Sequence, residues 1–252
     1  MRILRVLALV LFACGGSAQT EPPKPAAQAP QPSAVDEIVA HMKHRYAMAK
    51  TYSDEGTLQL TIRGPNGHTQ SSKLQTHWRA PDRLRFDFDE IHVWTTREGE
   101  AKTWFIDKTD THESLDAALY ALQGVTHATT ALVPRWLAFG VAVHPGYVVR
   151  GEAPCGTSTC IVLAGKNNDR DIEMFIDKTT YALRRHRSKG LVKLDTEEIR
   201  RRAEALPEPA RSRVLEHLKH EVEPFEVETS LDLDPKFDAP IDEAALDFTP
   251  PR

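Results

Sequence analysis

The chain is poor in cysteine, with three in 252 residues, and poor in aromatics at 7 %. It has no apolar run approaching the roughly 20 residues that a bilayer-spanning helix needs. It also lacks a C-x-x-C pair, so a thioredoxin-like redox motif is excluded. No G-x-S-x-G elbow, P-loop, H-E-x-x-H or dinucleotide fingerprint occurs, which leaves no catalytic or cofactor motif to build an enzyme on. Positive charge is sparse as well: the formal net charge is −4, and lysines and arginines are scattered rather than gathered into a stripe with aromatics. Nucleic acid is therefore a poor partner.

What is present begins with "VLALVLFACGGSAQT", residues 6–20. Arg2 and Arg5 precede an apolar run from Val6 to Ala13, the layout of a secretory leader with its cut just before Cys14. The stretch "LFAC" resembles the lipobox of bacterial lipoproteins, with Leu11 and Ala13 in fitting places and Phe12 bulkier than usual. The resemblance implies a diacylglycerol thioether on Cys14 and acylation, for example by palmitate, of the amine exposed by cleavage. An ordinary cleaved signal with an incidental cysteine is the plainer alternative. Removal of the leader takes Arg2 and Arg5 with it and moves the formal charge to about −6.

With Cys14 lipidated, Cys155 and Cys160 remain as a pair around "GTST", between two extended-looking segments. Facing strand ends lie within disulfide reach, and export to an oxidising compartment favours the bond over two free thiols. Residues 15–34 contain five prolines and almost no large apolar side chain, so they form a tether rather than a folded unit. The expected organisation is a signal peptide over 1–13, a lipidated cysteine and Pro/Ala-rich linker over 14–34, and one domain over 35–252.

Within that domain Ser33 caps a predicted helix whose stripe is Ile38, Met42, Tyr46 and Ala49. "MAKTYSDEG" is expected to break it. A period of two follows in "TLQLTIR", in "TQSSKLQTHWR" beyond the turn "GPNG", in "RLRFDFD", and in "IHVWTT" and "KTWFID". A helix is expected over "ESLDAALYALQ", with Leu115, Ala118, Leu119 and Leu122 on one side. Pro134 is expected to kink or end any helix in "TTALVPRWLAFG". Strands then follow at "YVVRG", "CIVLAG", "DIEMFID" and "YALRRHRS". Residues 195–223 are heavily charged and read as two short helices around "LPEP", either a solvated hairpin or a docking surface for a protein partner.

This order, with the phrases "YSDEGTLQLTIRG", "WRAPDRLRFDF", "FIDKTTYALRRH" and "FDAPIDEAALDFTPP", resembles the LolA/LolB-like superfamily of periplasmic lipoprotein-localisation proteins. The resemblance implies an α+β fold: a half-open antiparallel β-barrel with helices plugging its open side over an apolar cavity; the charged stretch at about 195–223 departs from that pattern and reads as an insertion. It implies a non-enzymatic envelope protein that carries or accepts acyl chains or lipoproteins, without metal or cofactor, facing the periplasm from the outer membrane. A ligand-sensing role like that of RseB-like sigma-factor regulators, working through 195–223, is the alternative; an envelope hydrolase is a third.

Moving a palmitoyl-sized chain into water costs on the order of 12 kcal/mol, at about 0.8 kcal/mol per methylene, so a carrier needs an apolar hollow. Leu58, Leu60, Ile62, Phe86, Phe88, Trp104 and Trp136 are the candidate lining, and solid core packing is the alternative for each. His41 and His44, and again His217 and His220, stand three apart on predicted helices. Lacking a third ligand, they read as polar helix faces rather than as metal sites.

Overall fold

The computed structural model describes residues 33–64, 67–139, 146–167, 169–192, 196–204, 208–217 and 224–251. The leader, Cys14 and the proline-rich segment through residue 32 lie outside them.

The first helix, α1 (Ala34–Met48), starts where the sequence signals it. The Asp36 N–H donates to Ser33 Oγ at 3.2 Å, and the Ser33 N–H donates to the Asp36 carboxylate at 3.0 Å, a reciprocal capping box. Val35, Val39, Met42 and Tyr46 form its buried stripe, and α1 packs against α3 (Pro134–Phe139) and β7 (Val148–Cys155). The expected break after α1 is shorter than its wording suggested. Strand β1 (Thr51–Arg63) begins at once, because Tyr52 and Asp54 already occupy buried alternate positions.

The sheet continues through β2 (His68–Arg79), β3 (Arg83–Phe88), β4 (Ile91–Thr95), β5 (Ala101–Phe105) and β6 (Lys108–His112). Its other half comprises β7, β8 (Ser158–Asn167), β9 (Arg170–Asp177), β10 (Leu183–Val192) and β11 (Phe225–Leu233), with the two-residue β12 (Lys236–Phe237) pairing with β1. Strand order is β6-β5-β4-β3-β2-β1-β11-β10-β9-β8-β7, and every pair is antiparallel. β6 and β7 do not pair with each other, so the sheet is open: an α+β half-barrel with helices on its inner face.

Helix α2 (Leu115–Ala121) lies against β4, β5 and β6 and buries Leu115, Ala118 and Leu119, as its spacing indicates. Pro134 does not end a helix; it opens α3. The first turn is the one helical position where a missing N–H and a fixed φ carry no penalty. Strand β6 is an addition to the expected order, entered through Ile106 and Asp107, both at positive φ. The charged insertion forms α4 (Thr196–Glu204) and α5 (Ala210–His217), between β10 and β11. Cys155 and Cys160 are joined in a disulfide across the β7–β8 turn, with their Cα atoms 5.9 Å apart. No helix among the described residues is long and apolar enough to cross a membrane.

At Gly56 an added Cβ would lie 2.9 Å from the Asp232 carbonyl oxygen and 2.9 Å from Leu74 Cγ. Glycine is what allows β2 and β11 to close on β1 from both sides at that point.

Candidate functional site

The register places Leu58 of β1 opposite Leu231 of β11, and Leu231 opposite His186 of β10. Ser188 faces Thr229 and Ile172 on the same side, one step further along. These side chains point to the inner face. Above them runs the segment from His127 to Leu132, which includes a 3₁₀ turn, η1 (Thr129–Leu132). Hydroxyls fasten this roof: Thr126 Oγ1 donates to the Leu122 carbonyl at 2.9 Å, and Thr129 Oγ1 to the Thr126 carbonyl at 2.8 Å. His127 and Ala128 both adopt positive φ, which turns the chain over the sheet.

Between roof and sheet is a cavity of about 270 Å³. Its floor and roof are apolar at Leu58, Ile172, Leu231 and Leu132, and hydroxylic at Thr129, Ser188 and Thr229. His127, His186, Asn167 and Arg170 supply the remaining polarity, and no carboxylate lines it among the described residues. His186 is half-buried, and burial pushes its imidazole down to about 4. What surface it retains faces the hollow. The ring is therefore neutral at neutral pH.

Beside the cavity lies the main core, a cluster to which Leu58, Ile172 and Leu231 themselves belong. Phe86 and Phe88 are 1 % and 3 % exposed inside the main core, together with Leu84, Val93, Leu119 and Leu137. At the α1 end a buried polar knot sits within this core. The Tyr52 hydroxyl donates to Asp54 Oδ2, and the Tyr46 hydroxyl accepts the Leu183 N–H at 3.2 Å. Asp54 Oδ1 and Trp78 Nε1 have no partner. Burial pushes the Asp54 carboxyl up to about 6, against the stabilising hydrogen bond from Tyr52. Burial also raises the Tyr46 and Tyr52 phenols.

Of the seven residues proposed from sequence, Leu58 reaches the cavity. Leu60 is buried and Ile62 partly so, further along the same face of β1. Phe86 and Phe88 are core, in one cluster with Leu115 and Leu119 of α2 and Leu137 of α3. Trp104 faces the other way. It pairs with His92 on β4, and both rings lie against Phe248, with centroids 6.3 Å and 4.1 Å from it. Trp136 packs at the core edge, with Nε1 donating to Asp116 at 3.0 Å.

His41 stacks on Tyr181 at 4.6 Å, and no group of three or more metal-ligating side chains exists among the described residues. His220 lies outside them. Arg170, Ile172, His186, Leu231 and the 127–132 roof were not foreseen. The alternation of "DIEMFID" and "YALRRHRS" gives their faces, yet nothing local says that these strands stand beside β1.

No protein-family model and no curated protein matches the chain. Among solved structures it is similar to a DUF1329 family protein from Desulfovibrio piger, with 13 % identity, 83 % of this chain and 94 % of that chain covered, and a TM-score of 0.33. It is similar also to a domain from Vibrio parahaemolyticus named for outer-membrane lipoprotein sorting, with 10 % identity over 83 % of this chain and 94 % of that one and a TM-score of 0.32. A LolA superfamily protein from Nitrosomonas europaea gives 9 % identity over 84 % and 96 %, with a TM-score of 0.31.

Proposed function

We propose that this chain is an envelope protein that binds acyl chains in a sheet-and-roof cavity and performs no chemical step. The observation that supports this most directly is the hollow bounded by Leu58, Ile172, Leu231 and Leu132 beneath the 127–132 roof. An apolar floor of this kind replaces the bilayer for a buried tail at little net cost. The volume sets a limit: about 270 Å³ is the room of nine or so water molecules at about 30 Å³ each. That admits a medium-length tail, or part of a longer one, rather than a whole palmitoyl group.

The lipobox-like leader supports a second element of the reading. Cys14, acylated, holds the domain at a bilayer facing the periplasm, at the end of the proline-rich tether. Gly15 and Gly16, in place of an aspartate after the cysteine, favour the outer membrane. Acyl chains or lipoproteins are the proposed cargo.

Mass spectrometry of gently extracted protein tests the cavity: a co-purified acyl species is expected, and its absence together with no binding of added amphiphiles would remove the carrier role. Fractionation of Cys14→Ala tests the anchor. Release into the soluble fraction is expected, and continued membrane retention would count against lipidation.

A further inference from the structure

The arginines of the outer sheet face are engaged. Arg63 pairs with Glu226 and Glu228, Arg85 with Asp87, Arg185 with Asp232, and Arg187 with Glu173. Arg170 differs. It lines the cavity, is exposed, and has no carboxylate partner among the described residues. The carboxylates around it are turned elsewhere: Asp171 pairs with Lys166, and Glu226 with Arg63 and Lys189. Asp169, its neighbour in the β8–β9 turn, makes no ion pair with it.

The position of Arg170 follows from the residue across the ladder. Gly190 of β10 is its register partner, and a Cβ there would lie 2.8 Å from Arg170 Cγ. The arginine stem thus crosses β10 in the space a side chain would have filled. Asp169, Asp171 and Glu226 lie close by without pairing with it; a guanidinium without a direct ion pair, lining an apolar hollow that has no acidic lining, is complementary to an anion attached to a tail. His127 and His186 line the same cavity, and their ring N–H groups add donors for a carboxylate or phosphate.

We infer that the cavity selects single-chain anionic amphiphiles, with a carboxylate or phosphate head held by Arg170 and the tail against Leu58 and Leu231. This rests on the acyl-binding reading above and adds the charge of the ligand to it.

Calorimetric titration of the intact domain with decanoate, decanol and decyltrimethylammonium, at pH 7.5 and low salt, tests it. Decanoate is expected to bind at least about tenfold more tightly than decanol, the scale of one charge-assisted contact. Arg170→Gln should reduce that gap to less than about twofold, through loss of decanoate affinity. An exposed, unpaired arginine can be replaced without unfolding the domain, and an unchanged melting temperature checks this. Equal binding of decanoate and decanol, or an equal affinity for the cationic amphiphile, would overturn the headgroup inference while leaving the acyl site standing. Failure of all three to bind would remove the acyl-binding reading itself. Inorganic phosphate serves as the tail-free control. Weak or absent competition with decanoate is expected, and phosphate binding as tight as decanoate would show an anion site that needs no tail, overturning the amphiphile assignment.

Discussion

Asp54 and Leu58 lie four residues apart on one strand, face the same side, and meet opposite surroundings. At Asp54, Tyr46 of α1 packs on Tyr52, and the carboxylate is buried, with one oxygen unpartnered. At Leu58 the cover is the 127–132 roof, which spans the sheet without filling the space beneath it. The strand pattern is the same in both halves, so the hollow is made by the cover and not by the sheet. A barrel of this design acquires a hollow wherever its helices stop short.

Mutations of the two halves should therefore have different consequences. Phe86→Ala removes a side chain that is 1 % exposed from the filled half and is expected to cost about 3–5 kcal/mol, read as a shift in urea midpoint. Ala131→Leu extends a roof residue into the hollow and should leave stability within about 1 kcal/mol of the parent. It should nonetheless weaken decanoate and decanol binding alike. A large loss of stability from Ala131→Leu would mean that the roof is already packed.

Asp54 in one half and His186 in the other are both displaced by burial, and the two displacements oppose each other. Asp54 has its folded value raised to about 6, so the folded state holds the proton more tightly than the unfolded chain. Its contribution to stability is present at acid pH and is lost as pH rises between about 4 and 6. His186 has its folded value lowered to about 4, so its contribution is present above the ordinary imidazole range and is lost as pH falls through the same window.

Each displacement amounts to about 3 kcal/mol, an upper figure for His186, whose ring meets any water admitted to the cavity. In the parent protein the two nearly cancel. Asp54→Asn is expected to leave a domain that loses stability on acidification from pH 7 to 4, and His186→Gln one that gains it. Chemical denaturation at a series of pH values reads both slopes. Parallel slopes in the two variants would mean that one of the groups is not sealed from water.

How far this contrast could be read in advance varied with the range of the forces involved. Alternation gave the inner face of β1, β2 and β3, because a period of two is a local property of the chain. Asp54 escaped the same rule, because "MAKTYSDEG" reads as a break while β1 already begins at Thr51. The α1 start at Ser33 was legible from one capping serine, and the reciprocal bond with Asp36 came from the structure. The cavity was not. It requires β1 to stand next to β11 and β10, more than a hundred residues away, and a roof that turns at His127 and Ala128 without a glycine to announce it. Phe86 and Phe88 have the same pattern as Leu58, and only the placement of α2, α3 and η1 separates core from hollow.

The Cys155–Cys160 bridge belongs to neither half. With Val162 and Phe175 it forms a small separate cluster apart from the main core. Closing so short a loop contributes about 2 kcal/mol in the chain-entropy model, and reduction should lower the melting temperature by that equivalent. Amphiphile binding should not change, since neither cysteine lines the cavity. Loss of binding on reduction would tie the β7–β8 hairpin to the hollow and weaken the division between the two regions.

The smallest expected effect tests whether the filled half can be loosened alone. Ser33 begins α1, and Ser33→Ala deletes the hydroxyl that accepts the Asp36 N–H while leaving the helix sequence intact. A lost cap of this kind costs about 1 kcal/mol. Hydrogen exchange should show it as faster opening of the first turn, next to Val35 and Val39 in the core. The decanoate affinity should be unaltered, because α1 contributes no residue to the cavity. If fraying at Ser33 also weakened binding, the roof would be held by α1 through α3 and η1, and the two halves would be one cooperative unit.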